Sequence, residues 1–260
     1  MMSLSHGAYE DVILAMAISD QIEKFCSHFE RQVDSIGHLT VASFAGDLTT
    51  SVWSDLRYKK VLYVTTIDTL AGFRFHKSAY PHLFRQNRER FTRFVKEYGS
   101  WTEGDFVSLP FLKDQLGELK LLNRPLAQHI NKKLAPFSTQ SPCFADGGVL
   151  VSAMDELASD LLVHATTEKE EEAINDYQHL SLLYRYRNSL VHESRTPGGA
   201  AEFDVTNPYY HGYIGSPTWH LAYPIGLFEG LLKRSLARFR AYLVDNSIDP
   251  YLLVEDKSRW

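Results

Sequence analysis

Asp55-Leu-Arg-Tyr-Lys-Lys-Val-Leu-Tyr-Val-Thr-Thr-Ile-Asp-Thr-Leu-Ala-Gly-Phe73 is the stretch that decides the fold class of this chain. Its second half is apolar on every side, which is typical of a helix buried in a bundle. Asp68 lies within this half, in line with Val61 and Val64. A buried carboxylate must be paired or hydrogen-bonded, because an isolated buried charge costs more free energy than packing returns. The sequence therefore predicts a buried helix in which Asp68 meets a cation from elsewhere in the chain.

Apolar residues at steps of three and four positions predict further helices. In the first of these, the apolar positions run from Ile18 to Ile36, and Gly37 ends the helix. The acidic residues after Thr167 suit the first turn of a helix, and we expect one long helix from Glu168 to about Glu193. The other predicted helices span about 83–97 (with an apolar stripe of Phe84, Phe91, Phe94 and Val95), 149–164 and 224–245.

Two short segments near the carboxyl end have the pattern of a β-hairpin. Tyr209–Ile214 and Trp219–Tyr223 flank the turn sequence Gly215-Ser-Pro217. The chain is thus predicted to be mainly α, a helical bundle with long connections and a small β-hairpin at about 209–223. Its predicted parts are an N-terminal helix with a connecting segment (1–54), a helical domain with an insertion at about 101–167 (55–245), and a C-terminal tail (246–260).

Composition excludes several classes of protein. Hydrophobic residues make up 44% of the 260 and charged residues 23%, so the chain is neither disordered nor fibrous. A formal net charge of -5 argues against a protein that coats nucleic acid through bulk charge. Two cysteines predict no disulfide framework and no cysteine-based zinc site. The apolar run Val12–Ile18 is too short to span a bilayer, and we expect a cytoplasmic protein.

The run Leu182-Leu-Tyr-Arg-Tyr-Arg-Asn-Ser-Leu-Val-His-Glu193 contains the most informative motif. Four Arg–His pairs in the chain are separated by four to six residues, and only in the pair Arg187 and His192 does Asn follow the Arg directly. This Arg-Asn-x3-His run resembles the signature of the HEPN superfamily of all-helical domains. The apolar run Val61–Leu70, within the helix predicted at about 55–75, also resembles the early helix of that family. The likeness therefore extends over about 55–245 and predicts a HEPN-like helical bundle.

The resemblance implies a metal-independent endoribonuclease, because many HEPN proteins cleave RNA in toxin–antitoxin, antiphage or RNA-processing systems. It implies Arg187, Asn188 and His192 as the catalytic residues, with no metal and no cofactor. The implied partners are an RNA substrate, a second copy of the chain in a homodimer that brings two motifs into one cleft, and an antitoxin or regulatory protein. Other HEPN members keep the fold without catalysis and dimerise, bind RNA or nucleotide, or dock a partner protein. In some members a partner enzyme modifies a tyrosine two places after the His. That position is Ser194 here, so this variant of the family does not fit.

Helical geometry limits how the motif residues meet. Tyr184, Asn188 and His192 are spaced four apart and lie in one column. Arg187 and His192 are five apart, about 140° around the helix. Arg187 must therefore swing its long side chain toward His192, or meet a second copy of the chain. The residues expected to bind substrate or support the site are Tyr184, Arg185, Glu193 and Asp68, the last as a partner of Arg187 or Arg185.

These residue types suit cleavage of RNA by its own 2′-hydroxyl. His192 takes the 2′-OH proton, or protonates the leaving 5′-oxygen, near neutral pH. Arg187 offers a planar fork of donors to the phosphoryl oxygens as negative charge builds. Asn188 orients His192 or donates to a phosphate oxygen. The nucleophile belongs to the substrate, so this route needs no metal, and DNA should be inert because it lacks the 2′-OH.

Each feature also has a structural interpretation. An Arg and a His at the end of a core helix also cap carbonyl groups or pair with acids. The basic run Arg85–Lys96 either steers RNA or is a solvated helix face. A third hypothesis assigns the function to the insertion at about 101–167, as a ligand-recognising segment that controls the bundle. Five aromatic residues in or near the hairpin either stack on unpaired bases or pack within the protein: Tyr209, Tyr210, Tyr213, Trp219 and Tyr223.

Overall fold

The computed structural model of the chain describes residues 6–40, 48–137, 148–192, 206–212 and 218–253. It is mainly helical with small antiparallel sheets, so the predicted fold class is confirmed. The chain divides into two compact units that alternate along the sequence. Unit 1 comprises Met1–Thr40, Leu62–Ser100 and Leu231–Trp260, and unit 2 comprises Val41–Val61 and Trp101–Gly230. The predicted division at residues 55 and 245 follows the family resemblance and stays a prediction.

Unit 1 is built from helices. It contains α1 (His6–Gly37), the later part of α2 (Leu48–Arg74), α3 (Asn87–Tyr98) and most of α10 (Ile225–Asp245). The predicted apolar stripe of α1 is buried from Ile22 to Ile36, and Gly37 ends the helix as expected. Aromatic rings fill the core, with Phe239 of α10 packed edge-on against Phe25 and Phe94. Among the described helices, none is long and apolar enough to cross a membrane.

The helix predicted at about 83–97 begins later than its apolar pattern suggested. A 3₁₀ turn occupies Pro81–Leu83, and α3 begins only at Asn87. Phe84 lies between them with an extended backbone and is 43% exposed, so its assignment to the buried stripe is wrong. Phe91, Phe94 and Val95 are buried as predicted. The turn already buries Leu83, which leaves the next side chain directed away from the core.

Unit 2 combines short helices with two small sheets. Its described helices after the first part of α2 are α4 (Leu109–Glu118), α5 (Pro125–Leu134), α6 (Val151–Met154), α7 (Ala158–Leu162), α8 (Glu168–Asp176), α9 (His179–His192) and the start of α10. Strand β1 (Phe106–Val107) pairs with β3 (Glu156–Leu157). A three-stranded antiparallel sheet has the order β2 (Val149–Leu150), β4 (Tyr209–Gly212) and β5 (Trp219–Ala222).

The predicted hairpin is confirmed by the pairing of β4 with β5. Tyr209 lies opposite Ala222, and Gly212 lies opposite Trp219. The turn at 213–217, with Tyr213, lies outside the described residues. Tyr209 and Tyr210 are fully buried, so these two rings pack within the protein.

The predicted helix at 149–164 is wrong, because this segment alternates between short strands and short helices. Val151, Met154, Ala158 and Leu161 are buried at helical spacing, which explains the misleading pattern. The backbone is nevertheless extended at Asp155, and β2 and β3 on either side of α6 pair with strands that are distant in sequence. Tertiary pairing overrides the local periodicity here.

The single long helix predicted from Glu168 to about Glu193 is two helices. Helix α8 ends at Asp176 and α9 begins at His179. The interruption is fixed by β1 and the residue that follows it, because Gln178 forms an isolated β-bridge with Val107 and the Tyr177 carbonyl accepts from the Ser108 amide at 3.0 Å. Glu193 lies outside the described residues.

Candidate functional site

Helix α9 carries the motif and is anchored along one side. Leu180, Leu183, Tyr186 and Leu190 are buried at helical spacing, which fixes the rotation of the helix about its axis. Its last turn therefore presents His192 to solvent, where the residue is exposed. The three leucines among them are visible in the sequence at this spacing.

The structure brings the three predicted catalytic side chains together within one chain. Arg187 Nη1 donates to Asn188 Oδ1 at 3.0 Å and to His192 Nε2 at 3.1 Å. Of the two routes left open by the spacing, the guanidinium therefore takes the first and reaches across Asn188 to the imidazole. Because Nε2 accepts this bond, a neutral His192 carries its proton on Nδ1.

The members of this cluster differ in exposure. Arg187 is only 9% exposed, whereas Asn188 is half-buried and His192 is exposed. The half-buried Tyr184 ring lies beside the cluster, with its centroid 5.8 Å from Arg187 Cζ. A fixed cation thus lies beneath a solvent-accessible imidazole, and a ligand from solvent meets the imidazole first.

The other predicted supporting residues are distributed differently. Arg185 is exposed, 3.6 Å from Asp176, and its Cζ lies 5.1 Å from the centre of the Tyr177 ring. Asp68 belongs to unit 1, while Arg185 and Arg187 belong to unit 2. Asp68 is half-buried, so the expectation of a fully enclosed carboxylate is wrong. It lies among small and polar neighbours such as Thr65 and Thr69, which leave that side of α2 open.

A cavity of about 370 Å³ lies beside the motif helix, within unit 2. Helix α9 lines it with Arg185, Tyr186 and Ser189, and β5 lines it with Trp219 and His220. Burial lowers the pKa of His220, and the neighbouring His211 ring, stacked 5.4 Å away, lowers it further. The sequence named Trp219 as a stacking candidate, but only the folded hairpin shows that it shares a cavity with α9.

A buried polar cluster around Asp155 fixes the start of α9, and no sequence motif indicates it. Asp155 Oδ1 accepts from the Leu109 amide at 2.9 Å, and Oδ2 accepts from His179 Nε2 at 2.7 Å and from the Tyr210 hydroxyl at 2.6 Å. His179 Nδ1 lies 2.8 Å from the Tyr223 hydroxyl. Desolvation, followed by the charge of Asp155, raises the pKa of both tyrosines well above the ordinary value. These groups are buried, so we assign the cluster to positioning α9 rather than to contact with substrate.

Comparison with known proteins supplies no further assignment. No protein-family model matches the chain, and neither does any curated protein or solved structure. Within the described residues, no group of three or more His, Cys, Asp and Glu side chains has the arrangement of a metal site. The likeness to HEPN proteins therefore rests on the sequence resemblance and stays a prediction.

Proposed function

We propose that the protein is a HEPN-type, metal-independent endoribonuclease that cleaves RNA through the substrate's own 2′-hydroxyl. The observation that carries the proposal is the contact of Arg187 Nη1 with His192 Nε2 at 3.1 Å, with the imidazole exposed and Asn188 on the same guanidinium. A cation and a proton-transfer group at one helix end suit a phosphodiester, which develops negative charge and exchanges protons during cleavage. The setting implied by the motif is a toxin–antitoxin, antiphage or RNA-processing system.

The proposed reaction begins when a phosphate takes the guanidinium donors. In the structure one of these donors is bonded to His192 Nε2. A phosphate that accepts from Arg187 competes for this donor and releases the imidazole nitrogen, which then accepts the 2′-OH proton. The 2′-oxygen forms a bond to phosphorus, the bond to the 5′-oxygen breaks, and that oxygen takes up a proton. The products end in a 2′,3′-cyclic phosphate and a 5′-hydroxyl.

The cavity beside α9 supports a nucleotide as the ligand. Trp219 and Tyr186 contribute aromatic rings to its lining, and Arg185 and Ser189 contribute hydrogen-bond donors. Ser189 lies one helical turn before His192 on the same helix. A base held here is therefore attached to a ribose near the imidazole. Unpaired bases are commonly recognised by such a combination of aromatic and polar groups.

A second copy of the chain is part of the proposal. The motif resemblance implies a homodimer with two motifs in one cleft, and the exposed end of α9 offers His192 to such a partner. Each subunit would contribute its own Arg187, Asn188 and His192. An antitoxin or regulatory partner follows from the same resemblance, whereas the proposed cytoplasmic location follows from the low cysteine content and the short apolar run Val12–Ile18.

The decisive experiment is an RNA cleavage assay in EDTA. We expect purified protein to cut single-stranded RNA, to leave 2′,3′-cyclic phosphate ends and to spare DNA of the same sequence. His192→Ala should abolish cleavage, while His38→Ala, at an exposed histidine of unit 1, should not. Absence of cleavage, or full activity in His192→Ala, contradicts the proposal.

A non-catalytic HEPN module for dimerisation, RNA or nucleotide binding, or partner docking is the second candidate. The observation that favours it is the near-complete burial of Arg187, with one of its donors shared between two neighbours of the same helix. Such a module binds RNA or a partner without turnover. It predicts that RNA recovered after long incubation is intact and that His192→Ala leaves the dissociation constant unchanged.

A further inference from the structure

One segment of unit 1 has a net positive charge, opposite in sign to that of the whole chain. The protein has 32 acidic and 27 basic residues, yet the stretch from Thr69 to Arg88 contains no Asp or Glu. Within it lie Arg74, Lys77, Arg85 and Arg88, together with two histidines. A local excess of cations in an acidic protein attracts a polyanion to that place rather than to the whole surface.

An exposed aromatic ring lies among these cations. Phe84 is 43% exposed, and its ring centre is 4.6 Å from Lys77 Nζ and 5.3 Å from Arg85 Cζ. The core does not require this ring, because the preceding Leu83 is already fully buried. Lys77, Phe84 and Arg85 therefore form a surface cluster, which we call the Phe84 platform.

The backbone of the platform carries strain that places a cation on the ring. Arg85 has φ of 67°, in the left-handed region that glycine and asparagine adopt most readily. An arginine here costs about 1 kcal/mol more than a glycine would. In this conformation its guanidinium lies beside the Phe84 ring.

Neighbouring cations differ in how they are held. Arg74 donates to the hydroxyls of Tyr98 and Tyr80 and is largely covered. Arg93 pairs with Glu97 at 2.7 Å. Lys77, Arg85 and, at the start of α3, Arg88 are instead exposed. The exposed positive charge is thus concentrated around the one exposed phenylalanine of this segment.

We propose that the Phe84 platform binds single-stranded RNA, with Phe84 stacked on an unpaired base and the flanking cations on adjacent phosphates. Aromatic rings set among cations are the usual means by which proteins hold single strands. That the strand is RNA rests on the proposed function; the platform itself lies outside unit 2, to which the motif belongs. The platform holds substrate and takes no part in the chemistry.

Fluorescence anisotropy with a labelled single-stranded RNA tests the platform. The full chain is used with His192→Ala, so that the probe stays intact. Phe84→Ala should weaken binding about 5- to 150-fold, the range for loss of one stacked base. The Lys77→Ala, Arg85→Ala double variant should also weaken RNA binding. It should reduce the slope of log binding constant against log salt concentration by about 1.4, since each phosphate contact on a single strand contributes about 0.7.

Matched controls separate the platform from general surface effects. Tyr58→Ala removes another exposed ring, and the Arg31→Ala, Lys132→Ala pair removes two exposed cations elsewhere. These controls should bind as the parent does. Unchanged binding in Phe84→Ala overturns the platform, as does equal binding of heparin, which has no bases. Preference for anionic phosphatidylserine vesicles over RNA overturns it too.

The outcomes distinguish this inference from the proposed nuclease. Binding through the platform without any cleavage by the unsubstituted protein retains the platform and rejects the nuclease. Cleavage by the unsubstituted protein, with binding unaffected by the platform variants, retains the nuclease and rejects the platform. Because Phe84 is exposed, Phe84→Ala should keep the parent's melting temperature, which confirms that the variant is folded.

Discussion

Arg187 joins two side chains of its own helix through a single nitrogen atom. Nη1 meets both Asn188 Oδ1 and His192 Nε2, although Arg187 and His192 point about 140° apart around α9. The sequence predicted which residues belong together, and that the arginine either swings toward His192 or meets a second copy of the chain. It left open whether the contact forms within one chain, because rotamer and burial depend on the side chains packed around α9.

Replacement of Arg187 by lysine tests whether the fork of donors matters beyond its charge. Lysine keeps a positive charge but offers a single ammonium group, which cannot reproduce the planar geometry of the guanidinium. We expect Arg187→Lys to lower the single-turnover rate of RNA cleavage roughly 10²- to 10³-fold, the usual loss when one donor to a charged transition state is removed. Arg31→Lys, at an exposed arginine of α1, is the control and should cleave normally. A normal rate in Arg187→Lys would mean that charge alone suffices.

At the scale of elements, prediction succeeds where local pattern and tertiary packing agree. Helices α1 and α10 and the β4–β5 hairpin show their own periodicity; α10 and the hairpin form close to their predicted bounds, and α1 ends at the predicted Gly37 although it begins at His6, well before Ile18. The segment 149–164 fails because its helical spacing of apolar residues coincides with strand pairing to β1 and β4. The break between α8 and α9 is likewise set by Val107 and Ser108, about 70 residues earlier, which no local window contains.

The Asp155 cluster holds these irregular elements, and its removal should be costly. Asp155→Ala leaves the buried His179 and the Leu109 amide without their acceptor. Loss of one member of a buried charged network typically costs 3–5 kcal/mol. We expect the free energy of unfolding in urea to fall by about that amount. Asp160→Ala, at an exposed acid of α7, should change it by less than about 0.5 kcal/mol. Equal effects of the two substitutions would show that the cluster is not a special source of stability.

The hairpin should make stability depend on pH. Burial and the nearby His211 lower the pKa of His220 in the folded state, so the unfolded chain binds the proton more readily. The free energy of unfolding is therefore undiminished above the pKa of His220 in the unfolded chain, about 6.5. It falls as pH decreases from there through the pKa of His220 in the folded state. Replacement of His220 by Gln removes this proton uptake.

Thermal melts at pH 5.0 and 7.5 measure this dependence. The drop in melting temperature between the two pH values should be smaller in His220→Gln than in the unsubstituted protein. His82→Gln removes an exposed histidine of unit 1 and should leave the drop unchanged. If His220→Gln keeps the full drop, acid sensitivity arises elsewhere.

At the scale of the whole molecule, composition and periodicity predicted a mainly helical protein but not its division into units. Helices α2 and α10 each contribute residues to both units. Unit 1 collects three separate segments, from the beginning, middle and end of the chain. Such a division depends on contacts between residues far apart in sequence, and no motif or local composition records it.

In the proposed homodimer, the Arg187 and His192 that act together come either from one subunit or from two. The contact within one chain predicts that they come from one. If Arg187 and His192 act as a pair from the same subunit, as their 3.1 Å contact suggests, two chains that each lack one partner cannot restore the site. Two different affinity tags isolate a mixed dimer of Arg187→Ala and His192→Ala chains. We expect this dimer to cleave RNA at the background rate.

The matched control carries the same two substitutions on one chain, paired with an unsubstituted chain. It keeps one intact Arg187–His192 pair, so it should cleave measurably, while sedimentation should show both preparations to be dimers. Equal cleavage by the two mixed dimers would mean that the arginine of one subunit serves the histidine of the other. An inactive control would mean that the cleft needs both motifs intact. The comparison therefore separates a site completed within one subunit from one assembled between two, because the number of substitutions and of subunits is held constant.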